Sequence, residues 1–217
     1  VKKQRISGVE ISPVALGWQT IFTETFEGAF PGSNWTIYGS QSWDDTSYDK
    51  YNGSWSGWCA DTTQLPANGY LNNMNAWMVY GPFSLSDATN ATVDFYYRNK
   101  SEANFDYFNW LASTDGTNFY GWKISGNQDS WRSQTFDLTI VPTLGNLCGL
   151  SQVWIAFVFT SDSSITDKGT YIDDVVIQKS VNDVDFAAVD VYPADPADVF
   201  TPLTTVTEGQ QIKIVFK

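Results

Sequence analysis

The chain has 217 residues, of which 42% are apolar, 16% are aromatic and only 17% are charged, so it can bury a large core. The 24 acidic and 12 basic residues give a formal net charge of −12, which disfavours nucleic acid and anionic membrane surfaces as partners. The chain contains no histidine, which excludes a Ser-His-Asp triad, a Cys-His pair and HExxH zinc chemistry. No run of 18 apolar residues occurs, and we expect no membrane insertion.

The predicted secondary structure consists of short strands separated by turn residues. Alternation begins at 20–26 and is stopped by Gly28 and Pro31. Asp115-Gly116 lies between two strand-like runs, which is typical of a hairpin. Further strand-like runs lie at 35–38, 76–80, 91–98, 106–113, 119–124, 130–138, 152–159 and 170–178. Eight to ten short strands without a helical period predict an all-β fold, an antiparallel two-sheet jelly-roll sandwich.

The sequence predicts three regions. Residues 1–19 are weakly patterned and are interpreted as a linker or N-terminal arm, and residues 20–180 carry the jelly-roll sandwich. Residues 181–217 contain two further strand-like runs, interrupted by prolines, and form a short C-terminal β segment. Two strands cannot bury a core alone. We therefore expect the truncated start of an immunoglobulin-like domain, or a tail that docks on the sandwich.

The chain has two cysteines, Cys59 and Cys148, which can either form a disulfide bond or remain free thiols. One pair in 217 residues is not a disulfide framework, although a secreted protein would favour a bond.

Five stretches occur in an order and spacing that resemble a known family. They are 24–32 (ETFEGAFPG), 75–85, 112–119, 153–162 and 169–177, the last containing Tyr-Ile-Asp-Asp-Val. Together they resemble the MAM-like jelly-roll modules of bacterial secreted proteins. They are most similar to accessory domains of immune-inhibitor-A-type metalloproteases and to cleaved-adhesin domains of gingipain-type proteases. The tail from Asp183 is similar to the opening strands of a CARDB-type immunoglobulin-fold module.

This resemblance implies a non-catalytic sandwich on a secreted or cell-surface bacterial protein, and a structural Ca²⁺ site. Family members commonly hold Ca²⁺ between positions that correspond here to Glu27, Asp173 and Asp174. The excess of Asp over Glu, 19 against 5, also suits a hard cation that prefers oxygen ligands. The alternatives are surface aspartates at a strand end, or a turn in which the carboxylates accept hydrogen bonds.

Aromatic residues are concentrated between Trp43 and Trp58, interleaved with Ser, Asn and Gly. Tyr51, Trp55 and Trp58 are the candidate ligand-binding residues, because exposed rings can stack on sugars or contact a protein partner. Core packing is the alternative, and it suits Trp58 better than Trp55, which is flanked by Gly and Ser on both sides.

These observations predict a monomeric, calcium-stabilised extracellular module for binding or adhesion, without catalytic activity. Its partner would be carbohydrate or a surface protein, and it would be appended to a larger secreted protein such as a protease. The alternatives are a purely structural spacer and a glycoside hydrolase that uses two carboxylates.

Overall fold

The computed structural model describes residues 14–15, 17–60 and 66–183. These residues belong to one unit that spans Pro13–Asp183, and a second unit, 1–12 with 184–217, lies outside the described residues. Two predicted regions therefore lie mostly outside the described residues. They are the immunoglobulin-like segment apart from 181–183, and the N-terminal arm apart from 14–15 and 17–19.

The described residues form twelve strands and one 3₁₀ turn, Pro66–Asn68, and contain no α-helix. The strands are β1 Val14–Ala15, β2 Gln19–Glu24, β3 Trp35–Gly39, β4 Asp44–Thr46, β5 Ser56–Trp58, β6 Asn75–Phe83, β7 Ala88–Lys100, β8 Tyr107–Ser113, β9 Tyr120–Ile124, β10 Asn127–Asp137, β11 Val153–Thr160 and β12 Gly169–Asp183. All their pairings are antiparallel and lie in two sheets. The predicted all-β jelly-roll sandwich is confirmed.

The seven-stranded sheet is organised around β12, its longest strand. The order is β10-β7-β12-β5-β4, and β12 pairs with β7 along one edge. Along its other edge β12 pairs in succession with β5 at 171–172, β2 at 175–179 and β1 at 182–183. The end of β2 and the start of β5 therefore meet beside Asp173 and Asp174.

The five-stranded sheet has the order β3-β6-β11-β8-β9. Its β8–β9 hairpin is the one predicted from Asp115-Gly116, and Trp110 lies opposite Trp122. Asp115 Oδ1 accepts hydrogen bonds from the backbone N–H groups of Thr117 and Asn118, which fixes this turn.

The core lies between the two sheets and is rich in aromatic side chains. Phe95 packs edge-on against Phe157 at 4.9 Å, and Phe108 and Trp110 complete the same cluster. A smaller apolar cluster lies on the outer face of the five-stranded sheet, where Val79, Ala156 and Val158 are covered by larger side chains such as Trp77. In the part of the chain that the structure describes, no helix is long and apolar enough to cross a bilayer.

Cys59 and Cys148 are both free thiols in this fold and form no disulfide bond. Cys59 is fully buried, its Sγ accepts the N–H of Thr170, and burial raises the pKa of its thiol to about 12. Cys148 is only partly buried, so its Sγ is the more accessible sulfur.

We therefore expect a thiol reagent at neutral pH to modify Cys148 within minutes and Cys59 only after denaturation. The thiolate is the reactive species, and Cys59 is both buried away from the reagent and held in its protonated form by its raised pKa. Mass spectrometry of native and unfolded protein measures this directly. Detection of a Cys59–Cys148 disulfide, or equal reactivity in the native state, would contradict the fold described above.

Candidate functional site

The loop 47–55, which joins β4 to β5, folds over the outer face of the seven-stranded sheet. Its position follows from the sheet order, since β5 and β2 pair with consecutive parts of β12. Gly57 lies opposite Ile172, and Glu24 lies opposite Val175. The segment after β2 and the two aspartates of β12 consequently reach this loop from two sides.

Glu27 holds the loop from the side of β2. Its Oε1 accepts hydrogen bonds from the backbone N–H groups of Ser54 at 2.7 Å and Trp55 at 2.8 Å. Carboxylate acceptors form strong bonds with backbone N–H groups, as they do at helix N-termini. Glu27 therefore serves as a cap for an otherwise unsupported turn.

Gly53 is required at the point where Glu27 approaches the loop. Its φ is +61°, and a Cβ at this position would lie only 2.3 Å from Glu27 Oε1. Glycine alone meets both demands, because it lacks Cβ and tolerates the left-handed region.

Asp173 holds the loop from below. It is fully buried, and its Oδ2 accepts the N–H groups of Tyr51 at 2.9 Å and Asn52 at 3.0 Å. Burial raises the pKa of Asp173, while hydrogen bonds from Asn52, Asp174 and Tyr51 act in the opposite direction. We name the four N–H donors of residues 51, 52, 54 and 55, with Glu27 and Asp173, the carboxylate clasp.

A bulge in β12 brings Asp174 to the same loop. The register with β7 shifts between Asp173 and Val176, and Asp174 has a φ of +47°. Adjacent residues of a regular strand point to opposite faces, but at this bulge both aspartates contact Asn52. Asn52 Nδ2 donates to Asp174 Oδ2 at 3.3 Å.

The three carboxylates predicted to bind Ca²⁺ thus meet at one loop. Their hydrogen bonds with the loop are those expected from the alternative interpretation, a turn in which the carboxylates accept hydrogen bonds. Backbone N–H groups already approach one oxygen of Glu27 and both oxygens of Asp173. Among the described residues, the group of three acidic side chains with an oxygen each within 4.8 Å of one another is a different one, Glu102, Asp106 and Asp162. Calcium at Glu27, Asp173 and Asp174 stays a prediction.

Tyr51 connects the clasp to the outer surface of the seven-stranded sheet, because its N–H donates to Asp173 and its ring packs on the sheet. Its ring stacks on Tyr96 of β7, with centroids 3.6 Å apart and planes within 12°, and is tilted against Trp131 of β10 at 6.0 Å. Trp131 Nε1 donates to Asp49 Oδ1 at 3.2 Å, and Asp49 pairs with Arg98. The loop is therefore fastened to the sheet at several points.

The three predicted ligand-binding aromatics differ in exposure. Tyr51 is 44% exposed and Trp55 is 40% exposed, so both offer a ring to a ligand. Trp58 is 0% exposed, and its Nε1 donates to the carbonyl oxygen of Lys168 at 2.9 Å. Trp58 is accordingly a core residue, and its assignment to the ligand-binding set is corrected because β5 places its ring inside the sandwich.

A groove of about 420 Å³ crosses the outer face of the sheet next to the Tyr51–Tyr96 stack. The groove is lined by residues of β2, β7, β10 and β12 and by Thr25, which follows β2. The polar and aromatic residues in this lining include Thr23, Thr25, Asp94, Tyr96, Thr135 and Asp174. Hydroxyl and carboxylate oxygens therefore lie beside an aromatic stack, and Tyr96 and Asp174 belong to the groove and to the loop contacts.

Sequence patterns did not identify Tyr96, Trp131 or the groove hydroxyls. A signal for Tyr96 was present, because Phe95 and Tyr97 alternate as inward residues and place Tyr96 on the outward face. The groove arises only when four strands distant in sequence become neighbours, and no local pattern encodes that.

Comparisons with known proteins show the fold. No protein-family model matches the chain, and no curated protein matches it. Among solved structures, the K1 cleaved adhesin domain of Lys-gingipain from Porphyromonas gingivalis W83 is similar with a TM-score of 0.51 at 17% identity, over 72% of this chain and 96% of that chain. The K3 cleaved adhesin domain of the same protein gives 0.50 at 18% identity, over 73% and 98%. The fold is thus similar to that of the cleaved adhesin domains, as the sequence predicted.

Two substitutions of Glu27 separate the hydrogen-bonding role from a metal-binding one. We expect Glu27→Ala to lower Tm by roughly 2–4 °C, the effect of losing a capping acceptor that contributes about 1 kcal/mol. Glu27→Gln keeps an acceptor oxygen, so its Tm should fall by clearly less than that of Glu27→Ala. Calorimetry of each variant with and without EDTA measures both the loss of the hydrogen bonds and the contribution of a bound metal ion.

Equal losses in the two variants would contradict the hydrogen-bonding role. The calcium prediction at this site requires the EDTA response of the wild type to shrink in Glu27→Gln, and an unchanged response would contradict it.

Proposed function

We propose that this chain is a non-catalytic extracellular binding module that recognises carbohydrate on the outer face of its seven-stranded sheet. The single observation that carries the proposal is the groove of about 420 Å³ beside the Tyr51–Tyr96 stack. Ligand sites are concave surfaces that combine apolar or aromatic walls with a few directed polar groups, and this groove has both.

The chemistry of the lining suits a sugar. The threonine hydroxyls, such as those of Thr23 and Thr135, and the Asp174 carboxylate can exchange hydrogen bonds with sugar hydroxyls. An exposed ring such as that of Tyr51 or Trp55 offers an apolar face for the C–H surface of a pyranose.

The carboxylate clasp supports the proposal because it orders the aromatic loop before any ligand arrives. A loop of sequence Tyr-Asn-Gly-Ser-Trp would otherwise lose considerable conformational entropy on binding. Four N–H groups fixed by Glu27 and Asp173 remove part of that cost in advance.

One of the two carboxylates that line the groove, Asp94, serves as a hydrogen-bond acceptor within the sheet. Asp94 accepts hydrogen bonds from Thr92 Oγ1 at 2.8 Å, Thr135 Oγ1 at 2.5 Å and Gln178 Nε2 at 2.8 Å. These three donors support a binding role over glycoside hydrolysis. A secreted or cell-surface location, a bacterial source and a monomeric state belong to the same proposal.

A glycan array probed with the whole chain tests the proposal. We expect one class of glycan to bind, and Tyr51→Ala and Trp55→Ala each to weaken that binding about tenfold through loss of a stacking surface. Tyr51→Phe should retain most of the affinity, because it keeps the ring on Tyr96. Trp122→Ala is the matched control, since Trp122 is 53% exposed but lies on β9 of the other sheet.

If the chain binds no glycan, the result favours a purely structural spacer. If it instead captures a surface protein in a pull-down, and this capture depends on Tyr51, the result favours a protein partner. Hydrolysis of a bound glycan by the purified chain would overturn the non-catalytic assignment.

A further inference from the structure

A second pocket lies beside the loop 47–55, next to the groove along the same two strands. Its volume is about 290 Å³, and it is lined by Tyr48, Asp49, Arg98, Lys168 and Tyr171. Arg98 of β7 lies opposite Tyr171 of β12. Tyr96 and Asp174 of these strands line the groove, so the two sites are neighbours that share no lining residue.

Tyr171 supplies the observation that points to a ligand. It is 1% exposed, and its hydroxyl has no hydrogen-bond partner within the described part of the chain, although buried polar groups normally have one. Burial raises the pKa of this hydroxyl, so it keeps its proton and can donate. Smaller influences on the same pKa come from Cys59 and from three residues of the pocket lining, Asp49, Tyr48 and Arg98. The hydroxyl is therefore an unused donor that lies among the pocket residues.

Lys168 adds a second donor and a positive charge. Its Nζ donates to the carbonyl oxygen of Ala67 at 2.8 Å and lies 5.7 Å from the centre of the Tyr48 ring. None of the four ion pairs formed by described residues includes Lys168. An ammonium group has three N–H donors, so donors remain here for a ligand.

The acidic residue of the pocket is already compensated. One oxygen of Asp49 pairs with Arg98, and the other accepts the Nε1–H of Trp131 at 3.2 Å. The unused capacity of the pocket therefore lies with the Tyr171 hydroxyl and the Lys168 ammonium, which are both donors. Such a pocket selects a ligand group that accepts hydrogen bonds and carries a negative charge.

Trp58 positions both donor residues. Its ring stacks on that of Tyr171, with centroids 6.2 Å apart and planes within 20°. Its Nε1 donates to the carbonyl oxygen of Lys168 at 2.9 Å and so fixes the backbone at that residue. Because these contacts exist without a ligand, little ordering is left to be done on binding.

The size and the walls of the pocket indicate which anion it accepts. Small-molecule sites measure roughly 300–1,000 Å³, so a pocket of about 290 Å³ suits a ligand of about one sugar ring. Tyr48 is 52% exposed and places an aromatic side chain beside the two donors. A carboxylate can accept from both donors at once, and the ring that carries it can lie against Tyr48.

We propose that this pocket binds the carboxylate group of an acidic sugar, with Tyr171 and Lys168 as donors and Tyr48 as the apolar wall. The donors alone indicate a carboxylate. Its assignment to a sugar rests on the function proposed for the neighbouring groove. The pocket would thus make the module selective for glycans that contain a uronic acid.

NMR titration of the whole chain with glucuronate, and with glucose as its neutral counterpart, tests the pocket. We expect glucuronate to bind at least ten times more tightly than glucose. Tyr171→Phe and Lys168→Met should each weaken glucuronate binding about tenfold, because each removes a hydrogen bond to a charged group. Lys123→Met is the matched control, since Lys123 is exposed and lies on β9 of the other sheet.

Thermal melts keep the binding result separate from folding defects. Tyr171→Phe removes only a buried hydroxyl that has no partner, so its Tm should equal or exceed that of the wild type. A fall of more than about 4 °C would show that the hydroxyl already has a structural partner, and would overturn the proposal.

Two further ligands distinguish the sources of the negative charge. Acetate carries the carboxylate without a sugar ring, and sulfate is a different anion, so both should bind at least ten times more weakly than glucuronate. Equal binding of acetate would overturn the assignment to a sugar, and equal binding of sulfate would overturn the assignment to a carboxylate. The proposal is also overturned if glucuronate does not bind, or if Tyr171→Phe binds it like the wild type.

Trp55→Ala separates the pocket from the groove function. Trp55 is not part of the pocket lining, so this variant should bind glucuronate like the wild type while it loses affinity on the glycan array. Glucuronate binding without any glycan binding on the array would contradict the groove function alone. Glycan binding that depends on Trp55, without glucuronate binding, would overturn the pocket alone.

Discussion

The carboxylate clasp is the interaction on which the proposed binding surface depends. Four backbone N–H groups, at residues 51, 52, 54 and 55, donate to two carboxylates from distant parts of the chain. Without these acceptors the loop has no regular structure to satisfy its donors. The clasp exists because β12 pairs with both β5 and β2, which brings Asp173 and Glu27 to opposite sides of the loop.

Order in the loop then determines what the sheet presents to solvent. Once Tyr51 is fixed by the Asp173 carboxylate, its ring rests on Tyr96 and forms the wall next to the groove. Asp49, with Arg98 and Trp131, fastens the other end of the same loop. A jelly roll places many outward side chains on its sheets, but only a rigid loop converts a part of that surface into a preformed site.

Several features follow from sequence alone and others do not. Alternation at 91–98 and Asp115-Gly116 predicted strands and a hairpin, because strand periodicity and turn chemistry are local. The meeting of Glu27 with Asp173 and Asp174 was expected from a family resemblance, although the structure shows N–H donors at these oxygens. The strands β4 and β5 were missed, since Asp44-Asp45 and Ser56-Gly57 have low strand propensity and are held by pairing with β12 and each other.

The contact of Asp174 with the same loop as Asp173 was equally hidden, because it depends on the bulge between Asp173 and Val176. The cluster of Glu102, Asp106 and Asp162 joins residues about 60 positions apart in sequence, and only the fold reveals it.

Amide hydrogen exchange followed by NMR tests the clasp most directly. The account predicts that the N–H groups of Tyr51, Asn52, Ser54 and Trp55 exchange well below random-coil rates, although the loop is exposed. Glu27→Ala should release Ser54 and Trp55 while Tyr51 and Asn52, bonded to Asp173, stay protected. Random-coil exchange at all four positions in the wild type, or unchanged protection of Ser54 and Trp55 in the variant, would contradict it.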